Sequence, residues 1–375
     1  MRKTFKFRLY PTAKQKKALQ KSLDACRWAY NKTLAVRKQA WEERKESISR
    51  YDTSNLLTEW KKENPFLDNA YSQCLQNVTM RVDLAFRFFF RRVKAGETPG
   101  YPRFKSFDRY DSFTFPQSGF SVAGNKLKIA KVGCVMMKRH REIAGKIKTL
   151  TIRRINAKWY ACFSCEIEPE PLPKVESIVG IDVGLSSFVT FSTGEKIGNP
   201  RFFTTDEAQL VKAQRRLSKV QVKNPDRKKR HHNLVCFHQK IANKRTDFAH
   251  KLSRQIVNEN QIIAFEKLDI KNMMGNHTKC FGRKLNKSIS DVAWNQFMQF
   301  TAYKAAEAGR RVVYVNPRNT SKMCSRCGQL VEKTLADRVH RCSCGLVLDR
   351  DENAAINILS LGLQGLGLAP GSRLL

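Results

Sequence analysis

Residues 178–184 read Ile178-Val-Gly-Ile-Asp182-Val-Gly184, a short apolar run that contains one carboxylate. Short apolar runs bounded by turn signals are typical of buried strands. Gly184 permits a tight turn after the strand, and residues 187–191 and 196–197 predict a second and a third strand. The segment therefore indicates an α/β domain with Asp182 inside a buried strand.

Two further carboxylates stand at the ends of predicted elements. The run Ile262-Ile-Ala-Phe-Glu266 places one at the end of a central strand, and Asp349-Arg-Asp351-Glu-Asn353 places another at the start of a helix. Asp182, Glu266 and Asp351 are separated by 84 and 85 residues, so only a tertiary fold can gather them. The alternative interpretation is that each acid merely ends a strand or caps a helix.

A cluster of these three acids would suit divalent metal ions. Burying carboxylates without compensation is costly because isolated charges resist leaving water. Mg²⁺ prefers oxygen ligands of this kind, and Mn²⁺ also accepts them. Two ions about 3.5–4 Å apart activate a water and stabilise the leaving oxygen in phosphodiester hydrolysis. The sequence therefore predicts a metal-dependent nuclease with Asp182, Glu266 and Asp351 as its catalytic ligands.

Four of the 11 cysteines form two closely spaced pairs, Cys324-Ser-Arg-Cys327 and Cys342-Ser-Cys344. A disulfide framework is not expected in a large basic chain with an odd number of cysteines. Four thiolates at about 2.3 Å suit a tetrahedral structural Zn²⁺. Because the second pair is C-x-C rather than C-x-x-C, His340 stays open as the fourth ligand in place of Cys342. Otherwise we interpret His340 as solvated or phosphate-facing.

The net charge indicates a polyanionic partner. The 375-residue chain carries 70 Lys and Arg against 33 Asp and Glu, a net charge of +37. Small soluble domains usually carry a net charge of about 2–8 in magnitude, and a larger surplus repels itself unless a polyanion shares the surface. Nucleic acid is the favoured partner. A basic structural protein is the alternative until the chemistry above is considered.

A membrane partner is not expected. The sequence has no apolar run of about 18 residues, and the opening MRKTFKFRLYPT lacks the apolar core of a signal peptide. We therefore expect a cytoplasmic protein.

The N-terminal part predicts a small barrel with a helical insertion. Residues 3–9 alternate between apolar and polar, which is typical of a half-buried strand. Thr12 and Gln15 form a capping-box pattern for a helical region that continues to about residue 95. From about residue 111 to 168 the hydrophobic period changes to two and predicts strands that complete a barrel with the first one. The proline-rich segment Glu168-Pro-Glu-Pro-Leu-Pro173 is the clearest domain boundary.

Beyond this boundary, alternating helices and strands are predicted, and the end of the chain is aperiodic. The expected elements are a charged helical stretch over 205–258, a strand over 261–266, a helix over 291–308, a strand over 311–315 and a loose Gly/Leu-rich tail over 361–375.

The motifs together resemble those of a known family. GIDVG, IIAFE and DRDENAAINI resemble the three acidic motifs of a RuvC-like nuclease with a ribonuclease-H fold, and the cysteine segment resembles the zinc insertion before the last motif in TnpB proteins. Further matching stretches are FRLYPT at 7–12, PGYPRFKS at 99–106, KRTDFAHKLS at 244–253 and SISDVAWNQF at 288–297. On the family pattern Asp182, Glu266 and Asp351 are the triad, and Asp349 is a neighbour that helps to position a metal.

The resemblance implies a multidomain α+β and α/β fold. Its expected parts are an N-terminal β-barrel of the wedge type (1–10 and 97–172), an inserted helical recognition lobe (11–96), a ribonuclease-H-fold, RuvC-like nuclease domain (173–318 and 348–362), a zinc-ribbon-like insertion (319–347) and a flexible tail (363–375).

The resemblance also implies a function: an RNA-guided DNA endonuclease of an insertion-sequence-type transposon. Its expected partners are a guide RNA from the transposon end and a double-stranded DNA target, with one protein monomer per RNA, in the cytoplasm at the nucleoid. An RNA-guided repressor that does not cleave and an unguided RuvC-like nuclease are the alternatives.

Several side chains are candidates for nucleic-acid contact. Tyr51 and Gln76 lie in the predicted recognition lobe, and glutamine can pair with adenine in the major groove. Arginines alternate with phenylalanines over residues 81–92, and basic runs mark the charged helical stretch. The alternative is that these side chains serve helix packing or a solvated face. The candidates are Tyr51, Gln76, Arg87, Arg91, Arg215, Arg227, Lys228 and Arg230.

Overall fold

The computed structural model describes residues 1–275, 280–334 and 336–368, and the chain forms two compact units, Met1–Glu168 and Pro169–Leu375. The division falls in the proline-rich segment. Each unit has its own hydrophobic core.

The N-terminal unit contains one seven-stranded antiparallel sheet. Its strands are β1 (Arg2–Tyr10), β2 (Ser112–Phe115), β3 (Phe120–Ala123), β4 (Lys126–Ile129), β5 (Gly133–Lys138), β6 (Lys146–Ile155) and β7 (Lys158–Glu166). The order is β2-β6-β7-β1-β5-β4-β3. In a flat sheet, strands about 4.8 Å apart would separate β2 from β3 by roughly 29 Å. The connection 116–119 reaches at most roughly 17 Å, so the sheet must curl strongly.

The alternation predicted for the first strand is confirmed. Phe5, Phe7 and Leu9 of β1 are buried, and they pack in one core with the phenylalanines of the other strands. The sequence interpretation missed β5. There the inward side chains alternate with Cys134 and Met136, which are exposed but also apolar, so no polar face revealed the period of two.

Three helices and a short 3-10 turn are inserted between β1 and β2. They are α1 (Ala13–Arg44), α2 (Arg50–Glu63), the 3-10 turn (Pro65–Asn69) and α3 (Ser72–Lys94). The predicted capping box is confirmed: Gln15 N donates to Thr12 Oγ1 at 3.3 Å, and Thr12 N donates to Gln15 Oε1 at 3.0 Å. The helices bury Leu19, Leu75 and Val82 in the same core as the sheet.

The second unit contains a mixed five-stranded sheet in the order β10-β9-β8-β11-β12. Its strands are β8 (Ile178–Val183), β9 (Ser187–Phe191), β10 (Lys196–Gly198), β11 (Ile262–Glu266) and β12 (Arg311–Val315), and a separate ribbon is formed by β13 (Val339–Arg341) and β14 (Val347–Asp349). The strand β9 is antiparallel to both β10 and β8, whereas β11 is parallel to both β8 and β12.

The helices of the second unit differ from the predictions at several points, and the short helix over 270–273 and the helix over 280–292 were not predicted. The helices are α4 (Phe202–Ser218), α5 (Asp226–Glu259), α6 (Ile270–Met273), α7 (Cys280–Val292), α8 (Trp294–Glu307) and α9 (Arg350–Gln364). The predicted stretch 205–258 is two helices, and the helix predicted from 291 begins only after Ala293, whose φ of 54° breaks the helix. The predicted tail begins too early because α9 continues to Gln364. Residues 369–375 lie outside the described residues.

None of the helices formed by the described residues is long and apolar enough to cross a membrane.

Candidate active site and metal centre

The three predicted catalytic acids lie on neighbouring elements of the second unit. Asp182 is the fifth residue of the central strand β8, and Glu266 is the last residue of the adjacent parallel strand β11. Because Phe265 pairs with Ile181, both carboxylates lie towards the same end of the sheet. Asp351 occupies the first turn of α9, which packs on β8 and β11.

Two glycines allow α9 to lie directly on the sheet. A Cβ on Gly180 of β8 would lie 2.1 Å from the backbone oxygen of Ala355 in α9. A Cβ on Gly362 of α9 would lie 2.8 Å from the Cβ of Ala264 in β11. Such contacts are far shorter than normal van der Waals distances, so a side chain at either position would push the helix away. These glycines were not singled out from the sequence, although Gly180 lies inside the first acidic motif.

The three acids interact electrostatically. Burial, and then the charges of Glu266 and Asp351, raise the pKa of Asp182 to about 8, against the opposing effect of Arg350. Burial also raises the pKa of Glu266, although a hydrogen bond from Thr320 opposes the shift. Arg350 forms an ion pair with Asp351 at 3.1 Å. The fold therefore concentrates negative charge in a half-buried place, where a cation is the natural compensation.

Asp349 holds the start of α9. Its Oδ1 accepts hydrogen bonds from the backbone N–H groups of Asp351 at 3.0 Å and Glu352 at 3.2 Å, as expected of an N-cap residue. Its other oxygen lies 2.7 Å from Lys196 Nζ. Partial burial raises the pKa of Asp349, but Lys196 and the two N–H groups outweigh this effect and leave it below the usual value.

The four predicted zinc ligands come together. The Sγ atoms of Cys324, Cys327, Cys342 and Cys344 all lie within 4.8 Å of one another. Among the described residues, these four side chains form a compact group of potential metal ligands. Both the Cys324–Cys344 and the Cys327–Cys342 Sγ distances are 3.6 Å. Thiolates bound tetrahedrally at about 2.3 Å from zinc lie roughly 3.8 Å apart. The four cysteines therefore fit a closed, structural Zn²⁺ site.

The fourth member of this group of sulfur ligands is Cys342, and the alternative fourth ligand, His340, does not belong to the group. The interpretation of His340 as solvated or phosphate-facing was wrong, because the residue is fully buried. Its Nδ1 contacts Lys333 Nζ, which also donates to the backbone oxygen of Ser321 at 2.9 Å. The strand β13 turns the imidazole inwards because His340 is the central residue of a three-residue strand with exposed neighbours.

Three buried polar residues beside the acids were missed. Thr320 is 3% exposed and Asn353 and Asn357 of α9 are 0% and 2% exposed. The asparagines lie four residues apart, so they share one helix face. Polar residues on a buried helix face need hydrogen-bond partners, and this spacing in the sequence NAAIN was the available signal.

In the first unit, most candidate nucleic-acid contacts are exposed. Tyr51 on α2 is 70% exposed, and the guanidinium of Arg50 lies 4.8 Å from its ring centroid. Gln76 on α3 is also exposed. Arg87 pairs with Asp83 at 2.8 Å while most of its side chain stays in solvent. Exposed Arg91 lies over the ring of Phe88, at 5.2 Å.

Arg81 does not belong to that exposed group. We expected it to share a phosphate-facing surface with the other arginines of α3. Instead its guanidinium donates to the backbone oxygen of Ser112 at 2.8 Å and to Thr114 Oγ1 at 2.6 Å, both in β2. Arg81 therefore ties α3 to the sheet.

In the second unit, the basic candidates divide in the same way. Arg215 on α4 and Lys228 on α5 are exposed, and Arg230 is half-buried. Arg227 donates to the backbone oxygen of Val220 at 2.6 Å and so closes the turn between the two helices.

Three family models match parts of the chain. A model described as "Probable transposase" matches residues 162–277, "Cas12f1-like, TNB domain" matches 294–358, and "Helix-turn-helix domain" matches 1–46. The TNB match contains the four cysteines and Asp351.

Relatives and a solved structure match over longer stretches. A "Putative RNA-guided DNA endonuclease" of Streptomyces pristinaespiralis is 36% identical, over 100% of this chain and 92% of its own length. "TnpB-like protein L79" of Acanthamoeba polyphaga mimivirus is 28% identical over 58% of this chain and 44% of its own length.

The solved structure described as "Cryo-EM structure of the Cas12f1-sgRNA-target DNA complex" aligns with a TM-score of 0.60 at 15% identity. The alignment covers 96% of this chain and 98% of that one. At this identity the likeness shows the fold alone, and it confirms the predicted mixed α/β multidomain architecture. The resemblance drawn from the motifs is confirmed as well: the full-length match to the Streptomyces relative shows that the chain belongs to the TnpB family.

Proposed function

We propose that this protein is an RNA-guided DNA endonuclease of an insertion-sequence-type transposon, with Asp182, Glu266 and Asp351 as its catalytic site. The observation that carries the proposal is the convergence of three carboxylates from distant segments at one end of the sheet, where burial, and then the charges of Glu266 and Asp351, raise the pKa of Asp182. The net charge of +37 adds the attraction for nucleic acid. Relatives named as RNA-guided DNA endonucleases support the same activity.

The chemistry of the three carboxylate donors suits Mg²⁺ or Mn²⁺. These donors are oxygen atoms whose mutual repulsion is relieved by a hard divalent cation. Asp182, Glu266 and Asp351 would hold the ions, and the chemistry that such ions would supply is activation of a water and stabilisation of the leaving oxygen. The chain prepares these groups: Thr320 binds Glu266, and Arg350 pairs with Asp351. Products should then carry 5′-phosphates and 3′-hydroxyls.

The domain assignment follows from the same proposal. A curled seven-stranded sheet with an inserted helical segment supports a wedge barrel (1–10 and 97–172) and a recognition lobe (11–96). A mixed five-stranded sheet covered by α9 supports a ribonuclease-H-fold, RuvC-like domain (173–318 and 348–362). The four-cysteine segment is then the zinc insertion (319–347).

Guide RNA and double-stranded DNA are the proposed partners, with one protein per RNA, acting in the cytoplasm on the nucleoid. In RNA-guided systems base pairing reads the target, while the protein contacts the backbone and a short flanking motif. The exposed candidates for these contacts are Tyr51, Gln76, Arg87, Arg91, Arg215 and Lys228, with half-buried Arg230. Arg227 remains a candidate only through the guanidinium N–H groups that are not hydrogen-bonded in the turn between α4 and α5.

The first test is to sequence the RNA that co-purifies with the protein expressed from its own locus. One discrete species that ends in a variable segment copied from beside the element supports the proposal and supplies the guide. A mixture of unrelated cellular RNA contradicts it and favours an unguided nuclease.

The second test adds the guide-loaded protein to matching double-stranded DNA with Mg²⁺. We expect cleavage by the native protein, and binding without cleavage by Asp182→Ala. Cleavage by Asp182→Ala would sink the assignment of the acids. Binding without cleavage by the native protein would point to an RNA-guided repressor.

A further inference from the structure

Thr320 forms a hydrogen bond with one of the proposed catalytic acids. Its hydroxyl donates to Glu266 Oε1, and the residue is only 3% exposed. Thr320 lies 54 residues after Glu266 in the chain, at the start of the segment that leads into the first cysteine pair. A short β-hydroxyl held in a buried place is well suited to fix the orientation of a carboxylate, because it has few rotamers.

The backbone around Thr320 is fastened to α9 by two buried asparagines. Asn357 Nδ2 donates to the backbone oxygens of Thr320 at 2.8 Å and Met323 at 2.7 Å. Asn353 Nδ2 donates to the same oxygen of Met323 at 2.8 Å, and its Oδ1 accepts from Ser325 N at 3.0 Å. The two amides therefore hold the residues on either side of Cys324.

These bonds join three features that are otherwise separate. Glu266 lies on β11, Cys324 belongs to the zinc cluster, and Asp351 lies two residues before Asn353 on α9. A displacement of the segment 320–325 would therefore act on Glu266 through Thr320 and on α9 through the asparagines.

We propose that Thr320 is a positioning residue for Glu266, and that Asn357 holds Thr320 in place. The segment 320–325 and α9 then jointly set the geometry of the three carboxylates. This inference rests on the proposed function of the acids. A carboxylate fixed through one oxygen keeps a defined direction for its other oxygen. Groups that orient metal ligands in this way typically change metal affinity or activity by about 10–100-fold when removed.

The test compares two substitutions at Thr320. Thr320→Val removes the hydroxyl at nearly constant volume, and Thr320→Ser keeps it. The binding of Mn²⁺ alone to the purified zinc-loaded protein is measured by titration calorimetry, and the cleavage rate of guide-loaded protein is measured separately. We expect about 10–100-fold weaker Mn²⁺ binding and a similar fall in cleavage for Thr320→Val, with near-native values for Thr320→Ser and unchanged DNA binding for both.

Thr301→Val is the matched control. Thr301 is also buried in the second unit, but its hydroxyl donates to the backbone oxygen of Phe297 within its own helix, at 3.1 Å. Its substitution should leave Mn²⁺ affinity unchanged. Native Mn²⁺ affinity in Thr320→Val, or an equal loss in Thr301→Val, would overturn the positioning role.

If Thr320→Val does not fold, Thr320→Ala removes the hydroxyl without the added methyl group. Failure of both to fold beside a folded Thr320→Ser would overturn the proposal in favour of a purely structural hydroxyl. Asp182→Ala separates the two levels of inference. If it retains cleavage, the proposed site fails, whereas loss in Asp182→Ala beside a native-like Thr320→Val contradicts only this inference.

A double-mutant cycle tests the link to Asn357. If Asn357→Ala acts on Glu266 through Thr320, the losses of Mn²⁺ affinity in Asn357→Ala and Thr320→Val will not be additive, because both remove the same constraint. Additive losses, or no loss in Asn357→Ala, would overturn the link.

Discussion

The carboxylate cluster and the four-cysteine cluster are two candidate metal sites in one unit, and they are assembled in opposite ways. The cysteines lie between residues 324 and 344, within one segment of the chain. The acids at 182, 266 and 351 come from two strands and a helix. The local site depends on chain spacing, whereas the distributed site depends on how closely α9 approaches the sheet. The two sites should therefore respond differently to the same kinds of change.

The largest expected difference is in catalysis. Glu266→Gln and Asp351→Asn should each reduce cleavage by about 10³-fold or more, equivalent to roughly 4 kcal/mol of transition-state stabilisation. Because residues that act as a unit show non-additive losses, the double variant should lose little more than either single one. Single-turnover cleavage by guide-loaded protein measures this. If the fold-losses of cleavage in the two single variants multiply in the double variant, the acids do not act as one site.

Removal of one thiolate should have a smaller effect on catalysis. Cys344→Ser should lower the bound zinc and reduce cleavage by about 10–100-fold, since the cysteine segment supports the acids without belonging to them. Zinc content by mass spectrometry and cleavage rate measure the two effects. Cys236→Ser, a substitution at a half-buried cysteine of α5 outside the cluster, is the control and should change neither. Full activity without zinc would separate the two sites entirely.

The packing of α9 should be sensitive to a single methyl group. Gly180→Ala should destabilise the protein by about 1–3 kcal/mol, as overpacking commonly does, because the new Cβ meets the backbone of Ala355. Gly198→Ala in β10, where nothing lies within 4 Å of the added Cβ, should be neutral. Denaturant unfolding compares the two variants. Equal stability would mean that α9 is not held at this contact.

The smallest expected effect is a gain of stability. The pKa of Asp182 is raised to about 8 in the folded protein, whereas an unfolded aspartate titrates near 3.9. The contribution of Asp182 to the free energy of unfolding therefore becomes more unfavourable as the pH rises from about 4 to about 8, because the folded protein resists ionisation of this carboxyl group. In magnesium-free buffer without chelator, Asp182→Asn should stabilise the protein by about 1–2 kcal/mol at neutral pH.

Thermal unfolding at pH 4, 6 and 8 checks this sign. The advantage of Asp182→Asn should be absent at pH 4, grow towards pH 8, and shrink when Mg²⁺ is added, because only the native carboxylate gains the cation. A variant that is less stable than the native protein at pH 8 without Mg²⁺ would contradict the charge crowding at this site.

The sequence by itself determined the local features of this protein. The alternation in β1, the capping box at Thr12 and the spacing of the cysteines each depend on residues that are close in the chain, so simple periodicity and ligand chemistry were sufficient to predict them. Motif resemblance supplied the family. The strand β5 was not predicted because apolar residues lie on both of its faces, so the sequence shows no alternation of apolar and polar residues there.

Only the tertiary structure decided which polar side chains remain exposed and available to contact a partner. Nothing in the sequence distinguishes Arg81 from Arg87, but only the former lies where β2 offers a carbonyl and a hydroxyl. His340 is buried for the same reason: the ribbon that carries it turns one face inwards. The approach of α9 through Gly180 and Gly362 is likewise a contact between distant segments. Long-range packing sets these outcomes because it fixes distances between groups that local spacing leaves undetermined.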